Sequence, residues 1–518
     1  MKLIRSLRLQ RQQKPLLLCE IQLFELAEQG YLVNLRQWRE GQEGRDSTRT
    51  PQPVSLVRAQ QLFQTCQIER QAQGFLPLAQ QITSGTINAT VSAAPAVTPA
   101  PVATTAIDHI LLERLQAAHW QTLNPKQRSR LIWRIGERRL SRAVPLLVSL
   151  LGQGTSLQDY SLAYAIGRAG DAGALQAMQE LQQRSGNLSV QRMAQQAWWQ
   201  LASREQKQQA AHSLIDQWPR KVCEAWQTQE ESTMLAALLL AEQHRSLRLD
   251  QSLPQLDLIA HAELPESPLA RRIVLAQAET LAILPGAFRA LRYLYKAAEM
   301  RGDAMLWGIL AQRFETVTAG NRGGARHLWL DRRWVPYRQE AQSDNSRVAY
   351  SKFTRDYLRR RSWRTLRRLA QDDPSAYVAM ATSALLAMDD AQAKAASKRT
   401  FVTRQGPQTR YYGPYSHWLL LNRLLHSNGP WRSSRDGGSW YQISPITSAD
   451  TLDTKRARQE AFPLCWDQAP NAAAMLLQLL LLSRCAAVHQ FAARALLDHP
   501  QFCATLEVSV LSQLLASP

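Results

Sequence analysis

Between Arg70 and Asp108 the chain carries no Asp, Glu, Lys or Arg, and within that gap residues 84–107 are almost all Ala, Pro, Thr, Val and Ser. Pro95, Pro99 and Pro101 punctuate the stretch. Such a segment buries too little side-chain area to offset the entropy of ordering it, so an extended, partly polyproline linker is expected over 84–107. This linker divides the sequence into a small module, 1–83, and a long region, 108–518, each needing its own core. At 518 residues the chain is in any case too long for one ordinary core. Hydrophobic residues make up 45% of it, enough for both parts to fold.

The 1–83 module reads as β-rich. Leu17–Leu23 alternates and continues into Phe24, and Tyr31–Leu35 follows a Gln29-Gly30 turn as a strand paired with it. Ser55 is placed to cap a helix through about Gln73, with Leu56, Ala59, Leu62, Phe63, Cys66 and Ile68 mostly at helical spacing. Beyond the linker nearly everything is helical. The segments 109–122, 126–138, 142–151, 157–169 and 173–183 are joined by short polar or Gly-containing connections, the pattern of an α-solenoid. In the best single unit a helix through Leu162–Ala169 stops at Gly170, an Asp171 turn follows, and Ala174–Leu181 opens the next helix; this resembles a HEAT-type repeat. Ser483–Pro500 is a weaker echo. Residues near 319–349 and 400–448 are too rich in Gly, Ser and Pro for simple helix and are expected as loop insertions.

The first 75 or so residues resemble a WGR domain, the small sheet-plus-helix module of poly(ADP-ribose) polymerases and of bacterial proteins of the molybdate-metabolism-regulator type. A basic strand, Leu3–Arg11, is followed by the strand Cys19–Glu25 and then by the block Gly30–Arg45. Within that block Gly41-Gln42-Glu43-Gly44 fits the second half of the family motif, and Arg39 falls on its arginine. Gln37 stands at the motif tryptophan, Trp38 at its glycine, and Glu40 where an apolar residue is usual. In the polymerases this face contacts a DNA end and neighbouring domains. The resemblance therefore implies nucleic-acid contacts for Trp38, Arg39 and Arg45, an indole for stacking and guanidinium groups for phosphate. The competing reading has Trp38 capping the sheet and Arg39 pairing with Glu40 or Glu43.

The chain has a formal net charge of +20, which bears on partners and not on fold. Half of that excess lies in one tenth of the length: Ala319–Ala370 holds fourteen Lys or Arg against four acids. Its inner part, Tyr350–Ala370, has seven Arg and one Lys. At helical spacing Phe353, Tyr357, Arg360, Trp363 (or Arg364) and Arg367 share a side. Positions 353, 357, 358, 363, 366 and 369 can form an apolar stripe, with Arg355, Arg359, Arg361 and Arg368 away from it. The candidate phosphate-binding residues of this block are Arg355, Arg359, Arg360, Arg361, Arg364, Arg367 and Arg368. The same block could instead dock an acidic protein or be a solvated basic face. The block and Arg458–Pro470 also resemble the region C-terminal to the WGR domain in bacterial WGR–helical-repeat proteins. Some of these occur with MoxR-class AAA+ ATPases and von Willebrand A-type partners, which implies a scaffold for such a protein as the alternative to nucleic acid.

There is no GxxxxGK[ST], GxGxxG, GxSxG or HExxH, and no Cys/His set with zinc spacing. Asn321–Arg326 could form an anion nest but reads as a basic loop, and His417 and His426 read as packing or surface residues. An enzyme is not expected. The remaining catalytic candidate is the irregular 400–448 region, where Arg404, Arg410, Tyr411, Tyr412 and Trp440 cluster. No cofactor or metal is expected. Six scattered cysteines suit buried thiols in a reducing compartment, and no apolar run is long enough for a membrane span, so a cytoplasmic protein is expected.

Overall fold

A computed structural model describes residues 2–11, 17–25, 30–39, 45–48, 54, 59, 62, 63, 66, 70, 76–77, 106–320, 323, 325–342, 346, 348–403, 406–434, 438–445 and 458–516. The chain is mostly helical, with small antiparallel sheets, and forms two compact units, Met1–Asn124 and Pro125–Pro518. Of the expected linker only positions 106 and 107 are among the described residues, and both are helical. The helices Ala106–Leu115 and Ala117–Thr122 belong to the first unit, so the division falls after Asn124.

The first unit contains an antiparallel sheet of β1 (Lys2–Arg11), β2 (Leu17–Glu25), β3 (Tyr31–Arg39), β4 (Arg45–Thr48) and β5 (Leu76–Pro77), in the order β4-β3-β2-β1-β5. Alternation decides which face is buried. Cys19, Ile21 and Leu23 of β2 and Val33 and Leu35 of β3 point inward, with Ile21 opposite Leu35 and Leu23 opposite Val33. The helical residues Ala59, Phe63 and Cys66, spaced four and three apart, close this core. β3 runs four residues past the Leu35 expected from sequence because it is paired on both edges, by β2 and by β4.

In the second unit the helices that frame the candidate sites are α1 (Pro125–Glu137), α2 (Ser156–Ala169), α3 (Leu188–Leu201), α4 (Leu249–Ile259), α5 (Pro285–Arg301), α6 (Ala304–Thr316), α7 (Lys352–Asp372), α8 (Pro374–Leu386) and α9 (Leu419–Leu425). Several begin at a side-chain cap that satisfies an otherwise orphaned amide. Thr155 accepts from Gln158 N–H, Asn187 from Val190, Asp303 from Leu306, Ser351 from Thr354 and Asp373 from Ala376. The unit read from sequence around Gly170 is present: α2 ends at that glycine, Asp171 accepts from Gly173 N–H, and the helix Leu175–Arg184 follows.

Glycines let the helices approach closely. A Cβ on Gly136 would lie 2.5 Å from Ala165 Cα, and one on Gly167 would lie 2.7 Å from Ala197 Cα. The expected insertions carry two-stranded hairpins, His327–Leu330 with Arg333–Pro336 and Ser397–Thr403 with Gly406–Tyr412. Among the described residues no helix is long and apolar enough to cross a membrane. All six cysteines are free thiols.

Candidate functional site

The basic block becomes the 21-residue helix α7, but its arginines divide into two sets. Leu358, Ser362, Thr365 and Leu366 face the interior, and Arg359 is buried with them. Arg359 donates from Nε to Glu315 of α6 at 2.9 Å and from a terminal nitrogen to the His417 carbonyl at 2.5 Å. Arg361 donates to Glu299 of α5 at 2.6 Å, and Arg368 pairs with Glu137 of α1. Arg355 is half-buried, 3.5 Å from the Val317 carbonyl. At the end of the helix Asp372 takes Arg134 of α1 at 3.2 Å and Arg138, in the turn after α1, at 3.0 Å. The inner arginines therefore tie α7 to α1, α5, α6 and the chain before α9.

Solvent meets the other side of α7. Phe353, Tyr357, Arg360, Arg364 and Arg367 are exposed, the spacing of one helical face. The apolar stripe expected from sequence is thus split: Leu358 and Leu366 are buried, Trp363 and Leu369 half-buried, and Phe353 and Tyr357 open to water. Arg364 lies over the Tyr357 ring at 5.7 Å. Arg360, Arg364 and Arg367 have no carboxylate partner among the described residues. Gly323 approaches the Phe353 ring, and four residues further along the chain the His327–Pro336 hairpin holds Trp329 and Trp334 edge to face at 5.3 Å, 58% and 67% exposed. Two indoles left in water is unusual unless they have a use.

Two cation-lined openings are present in the second unit. A cleft of about 300 Å³ is lined by Lys352, Arg355, Asp356, Arg360, His417 and Arg423, among others. Arg423 of α9 sits over the Trp363 ring at 5.4 Å with no carboxylate partner among the described residues. Burial, with Lys394 and Arg359 nearby, holds the His417 imidazole below its usual range, so it is neutral at pH 7. The second opening is a smaller cavity between α2, α3 and α5, lined by Tyr160, Arg192, Gln196, Arg289, Arg292 and Lys296, among others. Sequence reading missed Arg289, Arg292 and Lys296. The signal was there: they recur at intervals of three and four on a helix whose other residues from Ala287 to Met300 are buried.

No family, curated protein or solved structure matches this chain.

In the N-terminal sheet Trp38 and Arg39 are the last two residues of β3, opposite Leu18 and Leu17, and Arg45 opens β4 opposite Gln37. Residues 40–44, with the Gly41–Gly44 motif, lie outside the described residues. So does Arg404 of the 400–448 candidates. There Arg410 is held between the Phe401 ring at 4.6 Å and the Tyr441 ring at 4.4 Å, and Tyr412 packs on Tyr441, a stack of rings around one guanidinium. Burial pushes the His426 imidazole down to about 4, and the ring stacks on Trp431. Among the described residues no His/Cys/Asp/Glu group could hold a metal ion.

The inner ion pairs have a pH signature. Burial raises the Glu299 pKa, but the Arg361 and Arg368 guanidiniums and the Thr365 hydroxyl outweigh it and hold the carboxyl below the usual range. Asp303 is likewise depressed, burial being outweighed by Arg271, which donates to it at 2.5 and 2.8 Å. A folded value below the unfolded one, about 4 for these groups, gives stability that is complete above the unfolded value and lost as pH falls through the folded one. Urea midpoints should therefore fall steeply below pH 4. Glu299→Gln, though destabilised at pH 7, should show a flatter acid limb; an unchanged limb would mean that other carboxylates dominate.

Proposed function

We propose that the chain is a non-catalytic adaptor that binds nucleic acid along the outer face of α7 and its neighbouring hairpin. The observation that carries this reading is the interleaving on α7 of exposed rings with cations that have no carboxylate partner among the described residues: Arg360, Arg364 and Arg367 beside Phe353 and Tyr357, with Trp329 and Trp334 on the hairpin. Guanidiniums without internal carboxylates are available to phosphates, and exposed rings are available to unstacked bases. Single-stranded nucleic acid suits this pairing better than duplex, whose bases are already stacked. In this reading the stacked helices form a HEAT-like array that presents the site, and the N-terminal sheet is a WGR-like module. Free thiols throughout fit work in the cytoplasm.

The test is fluorescence anisotropy of the full chain with single-stranded and duplex DNA and RNA over a salt series. Replacing Arg360, Arg364 and Arg367 together by Gln should reduce the salt slope by about 2–3 and weaken binding at least about tenfold. The melting temperature should hardly move, because these side chains make no internal ion pair among the described residues. Trp329→Ala with Trp334→Ala should cost about 1–3 kcal/mol for each stacked base on single strands and little on duplex. Wild-type binding that is weak, or a slope that the triple replacement leaves unchanged, would overturn the reading.

A further inference from the structure

The cavity between α2, α3 and α5 has a charge imbalance that the chain itself does not close. Four cations line it: Arg192 of α3 and Arg289, Arg292 and Lys296 of α5. The nearby carboxylate, Asp250 of α4, is 4.0 Å from Arg192 and 3.7 Å from Arg289, and it is shared with Arg248 at 3.1 Å. Arg292 and Lys296 have no carboxylate within ion-pair distance among the described residues. Glu299, three residues beyond Lys296, is already engaged by Arg361 and Thr365. The buried Tyr160 hydroxyl also has no hydrogen-bond partner among the described residues. Like charges gathered in a half-enclosed site repel, and a buried polar group left unmade costs stability, so both observations point to an anion the site is built to receive.

We propose that this cavity binds a phosphomonoester dianion. Its volume, about 60 Å³, matches a few waters at about 10–15 Å³ each, which accommodates a phosphate group but not the nucleoside or sugar attached to it. Arg292, exposed at the surface, and Lys296, half-buried, would supply the primary charges, with Arg192 and Arg289 behind them. Tyr160 fixes the ammonium, which lies 5.5 Å from its ring centre. The site borders the outer face of α7 at Tyr357, but its cations belong to α3 and α5, and the inference does not depend on the polymer reading.

The chemistry carries a pH signature. Burial, with Arg361 of α7 and Arg292 of α5 nearby, pushes Lys296 down to about 7, and Glu299 offsets this only in part. The groups facing it are Tyr160 of α2, Arg192 of α3, Arg289, Arg292 and Glu299 of α5, and Tyr357 and Arg361 of α7. In the empty site Lys296 is half-neutral near pH 7, and a bound dianion restores its proton. Anion affinity should therefore fall as pH rises above 7, by up to about tenfold per pH unit.

Sulfate is the probe of choice, because its charge is constant across this range. Calorimetric titration of the full chain with sodium sulfate, at ionic strength held constant with chloride, should give saturable binding that weakens between pH 6 and pH 8.5. Lys296→Met and Arg292→Gln should each weaken it at least tenfold at pH 6, with unliganded melting temperatures confirming the fold. Lys296→Arg should bind at both pH values with the dependence flattened. Ribose 5-phosphate, and 5′-phosphorylated against 5′-hydroxyl oligonucleotides, then separate a free metabolite from a strand end as the natural source. Sulfate and phosphate binding no better than chloride, or binding indifferent to both replacements, overturns the proposal. A chain that binds oligonucleotide but ignores sulfate overturns this inference alone; one that binds sulfate but no polymer overturns only the adaptor reading.

Discussion

Arg359→Met will destabilise the second unit by about 3–5 kcal/mol, the usual cost of removing one partner from a buried ion pair. Arg359 and Glu315 are only 4% and 1% exposed, so the carboxylate left behind is largely shielded from water. Glu315 also accepts from the Leu419 and Leu420 amides at 2.8 and 3.1 Å, which makes it the anchor of α9 as well as of α7. Burial already raises the Glu315 carboxyl, against the pull of Arg359 and the two amides. Without Arg359 it should take up a proton readily, so the deficit should shrink as pH falls. The double replacement Arg359→Met/Glu315→Gln should recover part of the loss, because the neutral amide keeps an acceptor for α9 and removes the stranded charge. Urea denaturation of the three variants measures the coupling. Single and double replacements that are equally mild would show that this pair does not hold α7 in place. Any loss of nucleic-acid binding in Arg359→Met should track unfolding, unlike that in the outer-face variant.

Gly308→Val will cost about 3 kcal/mol, at the top of the range for overpacking. Helix propensity alone predicts the opposite sign, since glycine inside a helix is worth about 1 kcal/mol less than alanine. Packing wins here because a Cβ on Gly308 would stand 2.5 Å from the Ser383 carbonyl carbon, 2.7 Å from its oxygen and 2.8 Å from Ala384 N. Those are backbone atoms of α8, which cannot rotate away, so α6 and α8 must separate. Gly286, in the first turn of α5, is the matched control: a Cβ there meets nothing within 4 Å, and Gly286→Ala should be neutral or slightly stabilising. Thermal melts of the pair decide the matter. Equal melting temperatures would mean that the α6–α8 contact yields more easily than a backbone crossing should.

Reading α7 from sequence located the helix but not the roles of its arginines. Periodicity finds which residues share a side. It does not tell which side is inside when both carry Arg and aromatic rings. The partners that settle the question are distant along the chain: Glu315 is 44 residues from Arg359, Glu299 is 62 from Arg361, and Glu137 is 231 from Arg368. Trp329 and Trp334 escape a reading of the sequence because their hairpin turns at Asp331 and Arg332, both at positive φ, without the Gly or Asn that would signal such a turn. The cations of α5 were legible in principle, at intervals of three and four on an apolar helix, but a cavity needs the opposing wall that α2 and α3 provide.

By itself the sequence determined what local chemistry controls. Alternation built β2 and β3, caps such as Thr155 and Asp303 started helices, and a length of Lys352–Asp372 free of Gly and Pro made one long helix. Only the tertiary structure decided which charges are used internally and which face the solvent. An arginine becomes structural or available to a ligand according to whether packing brings it a carboxylate, and that pairing is a property of the assembled helices, not of any segment among them.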